Sequence, residues 1–139
     1  MIDASNEELH RQMLEEHMEL RLAILHIREA TTPAALAAAA VLLLDRLAAH
    51  IDSEERALEP VLATIDAWGA ERVRRLRQEH VAQRRDAERL RAELATPPDR
   101  SLAWDVQPFV EALLADMAAE ERELLCALRD DTITVEFGG

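Results

Sequence analysis

Apolar residues recur along most of this chain at spacings of three and four, the period of an α-helix with one buried face. One stripe runs through Met13, Leu20, Ile24 and Ile27, and a second through Leu36, Leu43, Leu47 and Val61. A third takes in Val73, Leu76, Ala87, Leu90 and Leu94, and a fourth Phe109, Leu113, Leu124 and Ala127. Ser5-Asn6-Glu7-Glu8 reads as a capping box that opens the first helix, over about 6–30. Thr32-Pro33 supplies an N-cap and a proline at the first helical position, and the second helix continues to about Ile65, with Pro60 a kink or an early end. Gly69 marks the next break, and the third helix covers about 70–95. Thr96-Pro97-Pro98-Asp99 is the clearest linker. The fourth helix reaches about Leu128, and because proline is comfortable only in a first turn it begins near Asp105 or is kinked at Pro108.

Short connections make consecutive helices antiparallel neighbours. The expected fold class is therefore all-α, an up-down-up-down antiparallel four-helix bundle over residues 1–130 with a short C-terminal tail, 131–139. The Thr132–Phe137 stretch of the tail looks strand-like but has no partner strand, and is expected to lie on the bundle or to be mobile.

Composition narrows the function. Only 3 Gly and 5 Pro in 139 residues argue against a sandwich, barrel or alternating α/β fold. Twenty-eight acidic against 16 basic residues give a net charge of −12, so nucleic acid is not an expected partner, since binding it calls for a basic face. The longest apolar run, Ala34 to Leu44, is about half a membrane span, so no membrane partner is expected either. The polar, acidic start (MIDASNEELH) predicts no signal peptide, and the single Cys126 fits a reducing compartment; the expected location is cytoplasmic.

Each apolar stripe is interrupted near its middle by residues able to ligate a metal. His17 falls between Met13 and Leu20, and His50 with Glu54 between Leu47 and Val61. His80 falls between Leu76 and Ala87, and Asp116 with Glu120 between Leu113 and Leu124. All should meet at one level of the bundle. Three carboxylates facing an apolar interior would cost several kcal/mol or more each unless compensated by positive charge. Imidazole nitrogen and carboxylate oxygen together suit iron, manganese or zinc.

The pattern also repeats. Glu16-His17-x-x-x-Arg21 recurs as Glu79-His80-x-x-x-Arg84, and His50-x-x-x-Glu54-Glu55-Arg56-x-Leu58 recurs as Asp116-x-x-x-Glu120-Glu121-Arg122-x-Leu124. The chain reads as two copies of one helical hairpin, with Asp116 standing at the equivalent of His50 as a candidate substitute ligand. Taken singly, each residue has a plainer reading. A lone histidine on an apolar helix face is more often a satisfied core residue, and Glu55, Glu121, Arg56 and Arg122 are expected to turn away from the core. A metal-free core, in which Arg21 and Arg84 neutralise the carboxylates, is the main structural alternative. His26 should face outward, and His10 should sit partly exposed near the helix end. Met13, Met18 and Met117 are expected to fill the core, and Trp68 and Trp104 to cap the bundle ends.

These residues resemble the hemerythrin-like (HHE cation-binding) domain family, whose pattern is His on the first helix, His-x-x-x-Glu on the second, His on the third and His-x-x-x-Glu on the fourth. Here that is His17, His50/Glu54, His80 and Asp116/Glu120, within about residues 9–128. The resemblance implies two iron ions with an oxo or hydroxo bridge, manganese or zinc being possible substitutes. In it His17, His50 and His80 are terminal ligands, Glu54 and Glu120 bridges, and Asp116 a terminal or bridging carboxylate. Family members variously carry or sense oxygen, handle nitric oxide or peroxide, or deliver iron, so a small gaseous or peroxide ligand is the expected partner. Two departures bear on function: Asp116 replaces the family's fourth-helix histidine, and Leu76 and Arg84 stand where a second third-helix histidine would lie. More anionic oxygen should stabilise ferric iron, which disfavours reversible oxygen carriage relative to peroxide chemistry, iron holding or sensing. The expected role is metal binding or sensing rather than dedicated catalysis, with oxygen or peroxide reduction an option. The alternative is a metal-poor, degenerate member acting as a helical interaction or sensor module. With no tyrosine in the chain, a tyrosyl radical is excluded.

Overall fold

A computed structural model describes residues 4–129. Four rods make up this region. The first is α1 (Ala4–Glu29); the second is α2 (Pro33–Ser53), continued by a π-helical turn (Glu54–Leu58) into α3 (Glu59–Ile65). The third is α4 (Gly69–Leu94), and the fourth is α5 (Leu102–Glu123), which ends in a 3₁₀ turn over Leu125–Leu128. The strand-like tail lies outside the described residues.

The expected boundaries hold with four informative exceptions. α1 already includes Ser5, so Ser5 is not its N-cap. Thr32 does cap α2, its side chain accepting a hydrogen bond from Ala35 N at 3.1 Å. Pro60 neither kinks nor ends the second rod in the simple way expected. A proline ring in a regular helix presses on the carbonyl four residues back. Here the preceding turn is widened instead, with Glu59 N–H bonded to the carbonyl of Glu54. The extra residue shifts the phase, so Leu58 and Leu62 are buried while Val61 is only half-buried. α5 begins at Leu102, earlier than Asp105, because Leu102 and Val106 are both buried anchors. Pro108 lies within it on the exposed side. Its α-helical part also stops short of Leu128, at Glu123.

Gly69 at the start of α4 permits a close approach: a Cβ there would sit 2.4 Å from the carbonyl oxygens of both Leu62 and Ala63. Trp68 and Trp104 do not cap the bundle ends as expected but are 68% and 81% exposed, and Met18 is likewise exposed rather than core. By length and composition alone, the continuous helix Pro33–Ile65 is apolar enough to cross a membrane, with a mean hydropathy of 1.7, although the Ala34–Leu44 run is too short. In the bundle this rod supplies Leu43, Leu44, Leu47, Leu58 and Leu62 to the core.

The core is split in two. One apolar cluster holds Leu20, Ile24, Leu43, Leu47, Leu90, Leu113 and their neighbours. The other holds Leu9, Met13, Leu58, Leu62, Leu76, Leu125 and theirs. Along every rod buried polar residues lie where the two clusters meet: His17, His50 with Glu54, His80 and Glu120. A buried polar layer therefore lies between two dry ones.

Candidate metal centre

The layer is assembled by helical phase. Met13, His17 and Leu20 fall on one face of α1, and Leu47, His50 and Glu54 on one face of the second rod, so burying the stripes buries the ligating groups with them. His17 is fully buried, Glu54 and His80 are 1% exposed, and Glu120 is 3% exposed. One ligand atom from each of His17, His50, Glu54 and Glu120 lies within 4.8 Å of the other three. His17 Nε2 is 3.2 Å from Glu120 Oε2, and His50 Nε2 is 3.2 Å from Glu54 Oε2. The two imidazole rings meet edge to face with centroids 4.9 Å apart. His80 meets the other oxygen of the same carboxylate, its Nε2 2.8 Å from Glu54 Oε1. Asp116 is not among these contacts. It is half-buried, and its Oδ2 accepts a hydrogen bond from Gln83 Nε2 at 3.1 Å.

Each imidazole is held from behind by a carboxylate. His17 Nδ1 lies 2.6 Å from Glu121 Oε2, His50 Nδ1 2.6 Å from Glu16 Oε1, and His80 Nδ1 3.0 Å from Glu55 Oε2. An ionised carboxylate only accepts, so each Nδ1 is the N–H donor, and a neutral ring then turns its Nε2 lone pair inward. The carboxylates are themselves anchored. Arg21 binds Glu121, Arg84 binds Glu55 at 2.8 and 2.9 Å, and Ser53 Oγ donates to Glu16 at 2.8 Å. Glu55 and Glu121 therefore do not turn away to solvent as expected. They sit one residue past Glu54 and Glu120, rotated by about 100° toward the neighbouring helix that carries the histidine. The only sequence trace of this role is the repeated Glu-His-x-x-x-Arg and Glu-Glu pattern. Arg21 and Arg84 do neutralise carboxylates, but these outer ones and not Glu54 or Glu120.

The charge balance of the layer is strained. Burial drives the Glu120 carboxyl well above its ordinary range, and the neighbouring Glu54 charge adds to this. Burial opposes ionisation of Glu54 too, but Glu120, His50 and His80 around it overcome that and hold its carboxyl low. Burial works against charge on His50 as well, yet Glu16 and Glu54 outweigh it and push the imidazole up to about 9. His80 is raised for the same reason by Glu54 and Glu55, whereas burial prevails at His17 and lowers it. Glu79, pressed by burial and by Asp116, is pushed up to about 7.

Three buried atoms of the layer, His17 Nε2, Glu54 Oε2 and Glu120 Oε2, have no hydrogen-bond partner. A dry interior leaves such groups unsatisfied only at a cost of about 1–3 kcal/mol each, more when charged. Two imidazole nitrogens fixed from behind and two carboxylate oxygens, converging within one ion's reach, fit a borderline transition-metal cation. A second grouping, Glu55, Glu59 and His80, also lies within 4.8 Å, but Arg84 and Arg77 already neutralise its two acids.

A four-helix bundle with a buried His/Glu layer at mid-height defines a helical cation-binding protein. The hemerythrin HHE cation-binding domain model matches residues 8–128, and the chain belongs to that family. Comparison with curated proteins and with solved structures finds no match.

Proposed function

We propose that this is a non-haem iron protein of the di-metal type, which binds, senses or reacts with dioxygen, peroxide or nitric oxide, or holds iron. The observation that carries the reading is the trio of buried atoms on His17, Glu54 and Glu120 that have no hydrogen-bond partner. His17, His50 and His80 would hold metal through nitrogen, and Glu54, Glu120 and Asp116 through carboxylate oxygen. When bound, the iron supplies the redox chemistry. The chain's own work is to present imidazole nitrogens in one tautomer, exclude water with the flanking apolar clusters, and keep anionic oxygen beside the ions, which favours the ferric state.

The same reading takes the protein as cytoplasmic and without nucleic-acid or membrane partners, supported by the −12 net charge and the single cysteine. The test is elemental analysis of protein purified from iron-supplemented cells, together with near-ultraviolet ligand-to-iron absorption. At least one iron per chain, lost in Glu54→Ala, supports the reading. Less than half an equivalent, unaffected by Glu54→Ala, overturns it.

A further inference from the structure

The internal repeat pairs the two hairpins residue by residue: His17 with His80, Glu54 with Glu120, Glu16 with Glu79, and His50 with Asp116. A symmetric centre would show the same contacts twice, and the outer clamps do. His17 and Arg21 on α1 hold Glu121 of the last rod, while His80 and Arg84 on α4 hold Glu55 of the second. At the remaining pair the symmetry fails. In the first half Glu16 backs an imidazole, at 2.6 Å from His50 Nδ1. In the second half both members are acids, and Gln83 Nε2 spans them, 3.2 Å from Glu79 Oε1 and 3.1 Å from Asp116 Oδ2. The inner atoms differ as well. His80 Nε2 is hydrogen-bonded to Glu54 Oε1 at 2.8 Å, whereas His17 Nε2 and His50 Nε2 stand 3.2 Å from Glu120 Oε2 and Glu54 Oε2, and the three layer atoms without a hydrogen-bond partner all belong to that looser group.

We infer that the two cation positions are unequal: one at His17, His50, Glu54 and Glu120 is ready-made and binds tightly, while a second, which would draw on His80, Asp116 and Glu79, binds weakly and prefers hard cations, since these three do not converge as the first four do. This rests on the proposal that the layer holds metal. The first position offers two imidazoles whose directions are set before binding by Glu121 and Glu16, so little ordering is required. Filling the second must break the His80–Glu54 contact and detach the Gln83 amide from two carboxylates. It also offers one nitrogen among oxygens, a set suited to Mn²⁺ or Mg²⁺ rather than to Zn²⁺.

The test is calorimetric titration of the metal-free full chain with Zn²⁺ and, separately, Mn²⁺, with metal counted after gel filtration. One Zn²⁺ per chain should survive filtration, with a second equivalent at least 100-fold weaker, and the gap should be narrower for Mn²⁺. His50→Ala should remove the tight equivalent. Asp116→His should strengthen the second Zn²⁺ at least tenfold and leave the first unchanged, with the helical circular dichroism signal confirming the fold. Asp116→Asn provides a near-isosteric control that should weaken only the second equivalent. Two wild-type equivalents within tenfold of each other, or a tight equivalent lost in Asp116→Asn but kept in His50→Ala, would overturn the inference while leaving the cation-binding reading intact. No binding of either ion would overturn both.

Discussion

Glu121 accepts hydrogen bonds from Arg21 through both carboxylate oxygens, at 2.9 and 3.2 Å, while the same carboxylate holds His17 Nδ1. A residue on the first rod and one on the last are thereby tied at the level of the buried layer, and the tie fixes which way His17 points. Outer partners of this kind change metal affinity by roughly 10–100-fold when removed. Glu121→Ala and Arg21→Ala should each weaken metal binding within that range, the first more than the second, with the helical signal unchanged. Competition titration against a chromophoric chelator measures it. An affinity unmoved in Glu121→Ala would show that His17 needs no backing.

Glu120 gives a prediction whose sign depends on metal. Burial and the Glu54 charge raise its carboxyl well above the ordinary range in the metal-free chain, which favours the neutral form. Glutamine is nearly isosteric with that neutral form, so Glu120→Gln should leave the metal-free melting midpoint at pH 7 unchanged or raised. Bound metal requires the carboxylate. At a free metal concentration of 100 times Kd, linkage adds about 2.7 kcal/mol to the wild type, or about 8 °C in a chain of this size. Glu120→Gln should lose most of that increment, as differential scanning calorimetry with and without chelator would show.

The titrating groups set an unusual pH optimum for the metal-free protein. Glu16, Glu54, Glu55 and Glu121 have carboxyls held below their ordinary values, so the stability they add is present above about 4.5 and lost as pH falls. His50, raised to about 9, contributes below 6.5 and loses that contribution as pH rises through 9. Glu79, raised to about 7, favours the folded state when protonated and costs stability as pH climbs from about 4.5 to 7. His17 runs the other way, since its lowered imidazole favours the neutral form. The net expectation is a melting midpoint higher at pH 6 than at pH 9 without metal. Saturating metal should move the optimum to higher pH, because its ligands bind deprotonated. A metal-free midpoint that rises from pH 6 to pH 9 would contradict this assignment of charges.

Gly69 tests the packing of the α3–α4 corner. Its φ is not positive, so the constraint is space and not backbone conformation. Gly69→Ala would press a methyl group to 2.4 Å from two backbone oxygens, and backbone cannot swing aside as a side chain can. A loss of about 1–3 kcal/mol in urea unfolding is expected. Ala70→Ser, one residue on and exposed, should change stability by less than about 0.5 kcal/mol.

Much of this molecule is local in origin and can be read from the order of residues. A helix's inner face follows from a 3.6-residue period, so the stripes through Leu20 and Leu43 carry His17 and His50 to mid-height and bury them. Gly69 and the Thr96–Asp99 linker part the rods, and Thr32 caps one of them, through backbone chemistry that needs no neighbour. What the one-dimensional pattern does not contain is the rotation of each rod against the next. That rotation turns Glu55 and Glu121 from expected surface acids into partners of His80 and His17, and leaves Trp68 and Trp104 in solvent. It also seats Asp116 against Gln83, apart from the four groups that converge, and lets the π-helical turn before Pro60 hand a core position from Val61 to Leu62. These are contacts between residues 25 to 104 positions apart, and only packing the two apolar clusters together decides which of them form.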